Sequence, residues 1–362
     1  MLAWLLVNTA VLVGLVSWIY GRFALRHVGY SRSFSKTAAF VGEEIEMVER
    51  IVNRKLLPLP WVRLESMMAQ GLVFGNQQNM EIRGGERFQN HISLFSLRSY
   101  RQIVRRHRVL CARRGHYVLE SATMTAGDPI GLARPSKRFP LELELTVYPE
   151  VLPISEVPLP SHGWIGDFTV RRWIVDDPHL VAGTREYRPG DALRAVNWKA
   201  TARAGRLLVH RKEHTADHRL MICLNLETHE HMWKTVLDPA RIERAISYAA
   251  SIAVYALRQG IDTGFLSNGW KFGAPKNEPV RVDFGGGEAQ VLQLLDAMAR
   301  LQLETAMTMH ALLDRVIAEE PQDIDFLIIS CHRGADLEER AEALRRRGNG
   351  VEWLIVEGGS GA

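Results

Sequence analysis

Residues 1–21 carry no charged side chain. This run constrains the fold more than any other stretch of the chain. As a helix rising about 1.5 Å per residue it reaches roughly 30 Å, the depth of a bilayer's hydrocarbon core. Trp4, Trp18 and Tyr20 lie near its ends, where amphipathic aromatics prefer the interface. A cleaved leader would want a basic stretch ahead of the apolar run and a small-residue cleavage site after it. Neither pattern is present, so an uncleaved anchor is expected. A buried core helix is the alternative, and the lack of any polar face argues against it. Arg22, Arg26, Arg32 and Lys36 follow the segment. The excess of positive charge on that side predicts an outside N-terminus and a cytoplasmic C-terminal bulk, hence a single-pass protein of the cell membrane.

Beyond that segment the composition is globular. The chain has 362 residues, 46% hydrophobic and 24% charged, which is enough for two cores. A net charge of +4 argues against a polyelectrolyte partner, and no nucleic acid is expected. Cys111, Cys223 and Cys331 are far apart and fit neither CxxC nor zinc spacing. They read as reduced, unpaired thiols on the cytosolic side.

From about residue 33 to residue 150 the pattern is β. Apolar and charged residues alternate over 44–50 and 61–65, with a proline-containing turn across 53–60. The Gly-, Asn- and Gln-rich stretch 71–86 predicts a loop. Strands are predicted at 91–97, 100–110, 117–123 and 141–147. Many short strands suggest a small β-sandwich, with a barrel as the alternative. Arg98, Arg101, Arg105, Arg106, Arg108, Arg113 and Arg114 form the densest basic stretch. They read as a solvated strand face, or as a surface drawn to anionic headgroups or phosphate.

Three prolines within 151–160 mark a boundary. From Arg219 onward strands alternate with helices. Strands are predicted at 219–227, 261–266, 280–284, 326–330 and 351–356. Helices are predicted at 239–259, 288–301, 309–319 and 337–347. The first helix has Asp238 as cap, Pro239 at its first position and Gly260 after its end. Such alternation predicts a mostly parallel, doubly wound sheet. The expected architecture is α+β and multidomain: an N-terminal transmembrane helix at 1–21, a β-sandwich-like domain at 33–150, a linker and motif region at 151–215, and a doubly wound α/β domain at 216–362.

The motif region centres on residues 184–203, TREYRPGDALRAVNWKATAR. Pro189 and Gly190 suit a tight turn, and Asp191 can cap a following helix over 192–198. Arg188, Arg194 and Arg203 surround that carboxylate with bidentate donors. Tyr187, Trp198 and Lys199 complete the set. The block reads either as an internal brace, with Trp198 packed on a sheet, or as an exposed anion or partner site.

The block, continuing through Leu207, Leu208 and Val209, resembles the signature of the bacterial membrane-associated family called domain of unknown function 58. Residues 40–66, FVGEEIEMVERIVNRKLLPLPWVRLES, are similar to that family's N-terminal β region. So are TAGDPIGL at 125–132 and LTVYPE at 145–150. The resemblance implies a von Willebrand A-like C-terminal domain and a MoxR-type AAA+ ATPase as partner, in an envelope-related setting. Members often carry two membrane helices, whereas this chain shows one.

The fold implied by the resemblance places a metal site at the end of its first strand, as Asp-x-Ser-x-Ser. Here those positions are Asn225, Glu227 and His229, and the later strand reads Ile329, Ser330, Cys331, His332 without an aspartate. A hard cation wants carboxylate oxygens, and an Asn amide is a weaker ligand. A degenerate site without metal or cofactor is expected, although Glu227, His229, Glu230 and His231 are residue types that can bind zinc. No GxSxG, Walker A or HExxH pattern occurs. Gly285 to Gly287 before a helix is a weak phosphate-cradle signal, and His210 with His214 a poor ligand pair. A non-enzymatic interaction or scaffold protein is expected. The alternatives are a hydrolase using Asp191 with its arginines or Glu227 with His229, and a module that binds anionic membranes or phosphate.

Overall fold

A computed structural model describes residues 1–75, 80–84, 88–159, 181–186, 198–212, 219–230 and 236–358. They form a mixed α/β protein with several sheets and one N-terminal apolar helix. The chain divides into two compact units. The first is Met1–Glu150 with Met298–Arg300, and the second is Val151–Ala297 with Leu301–Ala362.

The first unit opens with α1 (Leu2–Phe23), which is long and apolar enough to cross a membrane. Its final turn belongs to the globular part. Tyr20, Ala24 and Leu25 join a buried cluster with Leu64, Ala122 and Met124. Strands β1 (Val28–Phe34), β3 (Glu44–Asn53), β8 (Gln102–Cys111) and β5 (Leu72–Phe74) make an antiparallel four-stranded sheet in the order β1-β3-β8-β5. A six-stranded sheet has the order β2-β10-β9-β4-β7-β6. Its strands are β2 (Ala38–Phe40), β10 (Ser136–Tyr148), β9 (Gly115–Gly127), β4 (Leu59–Ala69), β7 (Phe88–Leu97) and β6 (Met80–Gly84). Only β2 and β10 pair in parallel there.

Alternation decides which side chains are inside. In β3 every second residue is buried: Ile45, Met47, Glu49, Ile51 and Asn53. Ile45, Met47 and Val109 of the four-stranded sheet share a cluster with Met68, Leu119 and Leu145 of the six-stranded one. The loop expected at 71–86 is corrected by β5 and β6. Leu72 and Phe74 alternate inward, and β5 pairs with β8, which outweighs the turn-rich composition around it. Within the basic stretch Arg98, Arg101, Arg106, Arg108 and Arg113 are exposed. Arg106 reaches Glu46 at 3.4 Å, while Arg105 turns inward with its guanidinium 5.3 Å from the Phe95 ring.

In the second unit β11 (Val181–Glu186) pairs with β12 (Leu208–Lys212), and α2 (Trp198–Ala204) precedes β12. The main sheet runs β16-β14-β13-β18-β19. Its strands are β13 (Arg219–Leu224), β14 (Asp262–Ser267), β16 (Val280–Gly285), β18 (Ile324–Ser330) and β19 (Gly350–Ile355). All pairs are parallel except the edge pair β14–β16. Helix α3 (Pro239–Arg258) has the expected ends. Asp238 accepts from the Arg241 N–H at 3.1 Å, and Gly260 takes φ +72° and donates to the Leu257 carbonyl at 2.9 Å. Helices α4 (Gly287–Arg300), α5 (Met309–Ala318) and α6 (Ala335–Arg346) follow.

Met221 and Cys223 of β13 pack with Leu312, Leu313, Leu337 and Leu344 of α5 and α6. Leu220, Ile222 and Leu224 alternate to the opposite face and are equally buried. Burial on both faces explains the unbroken apolar run of a parallel strand. Each such Leu or Ile contributes about 1.5–3 kcal/mol. A two-stranded ribbon, β15 (Gly269–Lys271) with β17 (Leu301–Thr305), carries no signal that the sequence reading picks up. Its second strand, β17, starts where α4 ends, one residue short of the helix boundary expected from sequence.

Candidate functional site

The carboxyl ends of parallel strands are where such sheets present ligand-binding groups. Here β13 ends at Leu224, and Asn225, Leu226, Glu227 and Thr228 continue as a buried loop. The Asn225 N–H donates to the Ile329 carbonyl at 2.9 Å, so this residue still follows β18. Its side chain is bonded at both terminal atoms. Asn225 Nδ2 donates to Ser330 Oγ at 3.1 Å, and Asn225 Oδ1 accepts from the Glu227 N–H at 3.0 Å and from Asn268 Nδ2 at 3.2 Å. Asn268, just past β14, also accepts the Leu226 N–H at 2.9 Å on its Oδ1. Ser330 Oγ donates to the His332 carbonyl at 2.7 Å. Three strand ends are thus tied together by a closed amide and hydroxyl network.

Glu227 serves helix α5. The side chain of Thr308, at the cap position, makes no capping bond. Glu227 Oε1 accepts the Met309 N–H at 2.7 Å instead, and Asn268 Nδ2 lies 3.3 Å from the same oxygen. A carboxylate here satisfies one of the orphan donors of the first helical turn and complements its dipole. Burial nonetheless pushes the Glu227 carboxyl above its ordinary value, since the Met309 N–H, His310 and Asn268 only partly oppose it. His332 is pushed below its ordinary value, chiefly by burial, and its Nδ1 sits 3.3 Å from the Glu227 carbonyl. His229 is exposed, with Nδ1 2.9 Å from Thr228 Oγ1. Among the described residues no three His, Cys, Asp or Glu side chains are placed to share an ion. His231 and His214 lie outside the described residues.

Of the signature block, Tyr187, Arg188, Pro189, Gly190, Asp191 and Arg194 lie outside the described residues, as do residues 192–197 of the helix expected over 192–198. Trp198, Lys199 and Arg203 belong to α2 and are exposed, Trp198 by 64%. Trp198 therefore does not pack on a sheet as expected. It sits in the first turn of a short helix, three residues before the side chain that bonds β12. Thr201 Oγ1 accepts the Leu208 N–H at 3.0 Å and Gly205, at φ +66°, closes the turn into β12.

The glycines before α4 have a structural use. A Cβ on Gly285 would lie 2.8 Å from Gln290 Oε1, and Gln290 Nε2 donates to the Thr263 and Asp283 carbonyls, both at 2.8 Å. The helix's own glutamine thus packs against Gly285, while Gly287 turns at φ +78°. All three cysteines are free and buried, and burial pushes the Cys111 thiol to about 11 and the Cys223 thiol to about 12.

A second polar cluster, missed from sequence, lies between the two sheets of the first unit. Glu49 Oε1 accepts from Tyr30 Oη at 2.8 Å and from Arg32 Nε at 3.1 Å. Arg32 Nη2 also bonds this oxygen and donates to Ser66 Oγ at 3.1 Å. Glu49 Oε2 accepts from His107 Nε2 at 3.1 Å. His91 and Ser93 close the surroundings. The signal was available: Glu49 shares its parity with Ile45, Met47 and Ile51, which puts a charge on the inward face.

Residues 183–354 match the family described as "Protein of unknown function DUF58". The match covers just under half of the chain and supports a protein of that family. It is 23% identical over 270 residues to "Uncharacterized protein YeaD" of Bacillus subtilis (strain 168), covering 74% of this chain and 62% of that protein. The chain therefore spans about three-fifths of that relative's length. Among solved structures it is similar to a cohesin module from a Clostridium perfringens family 33 glycoside hydrolase. That match has 10% identity and a TM-score of 0.22, over 32% of this chain and 97% of that one. It is also similar to Spo0M, a sporulation control protein from Bacillus subtilis. Here identity is 11% and the TM-score 0.19, over 45% of this chain and 59% of that one. Scores this low carry no argument about fold or function.

Proposed function

We propose that this is a single-pass, membrane-anchored interaction protein without enzymatic activity, its bulk in the cytoplasm. In this reading the first unit is a β-sandwich and the second a von Willebrand A-like domain whose metal site is degenerate. The supporting observation is the fate of the strand-end side chains. Asn225, Asn268 and Ser330 are spent on one another, and Glu227 on the N-terminus of α5. A hard cation would have to break those bonds and find further oxygen ligands beyond Glu227. The same spending argues against Glu227 and His229 as a hydrolytic pair, because the carboxylate is engaged away from His229.

Among the described residues of the signature block, Trp198, Lys199 and Arg203 face solvent and offer a surface to partners. An aromatic flanked by cations is suited to anchoring a protein contact. The family resemblance supplies the partner class, a MoxR-type AAA+ ATPase, and the envelope setting. The test is photo-crosslinking from position 198 in native membranes, with the captured proteins identified by mass. An ATPase of that class should be recovered, and Arg203→Ala should reduce its yield. Recovery of no ATPase from position 198 would remove the partner assignment. Micromolar Mg²⁺ binding that Asn225→Ala abolishes would remove the degenerate-site reading.

A further inference from the structure

Helix α1 is 22 residues long, and at about 1.5 Å per residue it spans roughly 33 Å. That is little more than the roughly 30 Å of a hydrocarbon core, so residues near both of its ends sit close to the boundary. The loop from Asp128 to Ala133 docks on its C-terminal part. The Ser17 hydroxyl faces the Asp128 carboxylate. Val16, Tyr20 and Ala133 share one apolar cluster, and the Ala133 Cβ lies 3.8 Å from where a Cβ on Gly21 would stand. Ser17 is about 9 Å along the axis inside Phe23, which puts this loop at or below the hydrocarbon edge.

The loop is built for that depth. Asp128 is fully buried, its carboxylate taking the Gly131 N–H while Gly131 turns at φ +87°. The turn leaves Ile130 and Leu132 54% and 65% exposed. A charged group is hidden and two aliphatic side chains are presented, the reverse of an ordinary polar loop. A second loop pair stands at the same helix exit. The Arg54 N–H donates to the His27 carbonyl at 3.0 Å, and the Tyr100 N–H to the Lys55 carbonyl at 3.2 Å. Leu56 and Tyr100 on these tips are 75% and 68% exposed. Exposed Arg22, Arg26, Arg54 and Arg134 flank the tips. Apolar tips ringed by cations match a bilayer whose headgroups are anionic.

We infer that the helix-proximal end of the first unit is a lipid-embedded surface, with Ile130 and Leu132 inserted into the same bilayer that α1 crosses and Leu56 and Tyr100 resting at its interface. This rests on the membrane-anchor reading of α1. The unit is then held at a fixed height and orientation by several contacts, where a single helix would leave it free to swing.

The experiment uses the full chain in phosphatidylcholine–phosphatidylglycerol vesicles. Ile130→Cys and Leu132→Cys are labelled with an environment-sensitive fluorophore and challenged with doxyl-labelled lipid. Cys111, Cys223 and Cys331 are buried, so the label goes to the introduced thiol. Leu12→Cys marks the bilayer interior. Met67→Cys, 65% exposed and about 26 Å along β4 from Leu59, marks the aqueous side. Quenching of both loop positions by about twofold or more beyond Met67→Cys is expected, since only fluorophores at hydrocarbon depth meet the quencher. A quenched Leu12→Cys beside loop positions as bright as Met67→Cys would overturn the inference and leave the anchor standing. An unquenched Leu12→Cys would overturn the anchor, and the inference with it.

Discussion

Glu49 and Glu227 are both shut away from water, at 2% and 6% exposure, and their surroundings treat them oppositely. Burial pushes each carboxyl up. At Glu49 the His107, Arg32 and Tyr30 contacts outweigh burial and hold the group well below its ordinary value. At Glu227 the partners are amides and a backbone N–H, with His310 nearby, and burial wins. The first unit has therefore built a charge into its interior and neutralised it with a guanidinium. The second has kept its polar loop nearly charge-free and satisfied it with dipoles. Depth alone does not set the state of a buried acid, and an adjacent cation with hydrogen bonds decides it.

The sharpest way to break this comparison is to remove the Glu49 charge. Arg32, 2% exposed at its side chain, would be left as a buried cation without a counter-ion. Glu49→Ala should cost roughly 3–5 kcal/mol, the usual penalty for orphaning one member of a buried pair. Thermal unfolding of the full-length protein should show the first unit melting clearly earlier, with amide protection lost across β3 and β8. The double variant Arg32→Met with Glu49→Leu removes both charges and should recover most of the loss. A Glu49→Ala protein as stable as wild type would mean the pair is not the interior's organising contact.

Much of the frame is legible in the sequence because its physics is local. The Asp238, Pro239 and Gly260 signals give α3 its ends, and unbroken apolar runs give β13 and β18. Alternation gives β3 and β4. What escapes depends on contacts between distant positions. β5 and β6 lie in turn-rich sequence, and β5 exists because β8 offers an edge to it. Asn268 is 43 positions from Asn225, and nothing in its own neighbourhood announces that it joins two strand ends. Glu227 looks like a misplaced metal ligand in the sequence because its helix partner, Met309, is 82 residues away and contributes only a backbone N–H. The Arg98 to Arg114 stretch reads as one basic face, but strand parity separates Arg105, half-buried on Phe95, from Arg106 and Arg108 in solvent.

A second test follows the histidine beside the Glu49 pair. Burial, with help from Arg32 and His107 and against Glu49, lowers His91 to about 4 from 6.5. A folded value below the unfolded one means the unfolded chain binds the proton more readily. The stabilisation is then complete above about pH 6.5 and is lost as pH falls toward 4. The total is on the order of 3 kcal/mol, because each tenfold change in proton affinity is worth about 1.36 kcal/mol. Denaturant unfolding of the first unit at pH 7 and pH 4.5 should show most of that loss, and His91→Gln should flatten the dependence. The Glu49 contribution does not interfere, because a depressed carboxyl gives up its stability only below its ordinary value of 4.5. An unchanged slope in His91→Gln would assign the acid sensitivity to another group.

The smallest effect is expected at Glu227, and its sign tells the two interiors apart. A folded value above the ordinary 4.5 means the folded protein holds the proton more tightly than the unfolded chain. The associated stability is greatest below 4.5 and declines as pH rises through the folded value. Glu227→Gln keeps an oxygen for the Met309 N–H and removes the charge. It should leave stability at pH 7 unchanged or improve it, and flatten the decline in stability above about pH 4.5. Glu227→Ala loses the bond to Met309 as well and should destabilise by about 1 kcal/mol, the usual worth of a helix cap. Unfolding curves of the two variants at pH 5 and pH 7 make the comparison. If Gln proves as damaging as Ala at pH 7, the negative charge itself is needed there. Glu227 would then resemble Glu49 in having a cation to answer, and a strand-end loop that depends on charge would reopen the reading of the site as one without an ion.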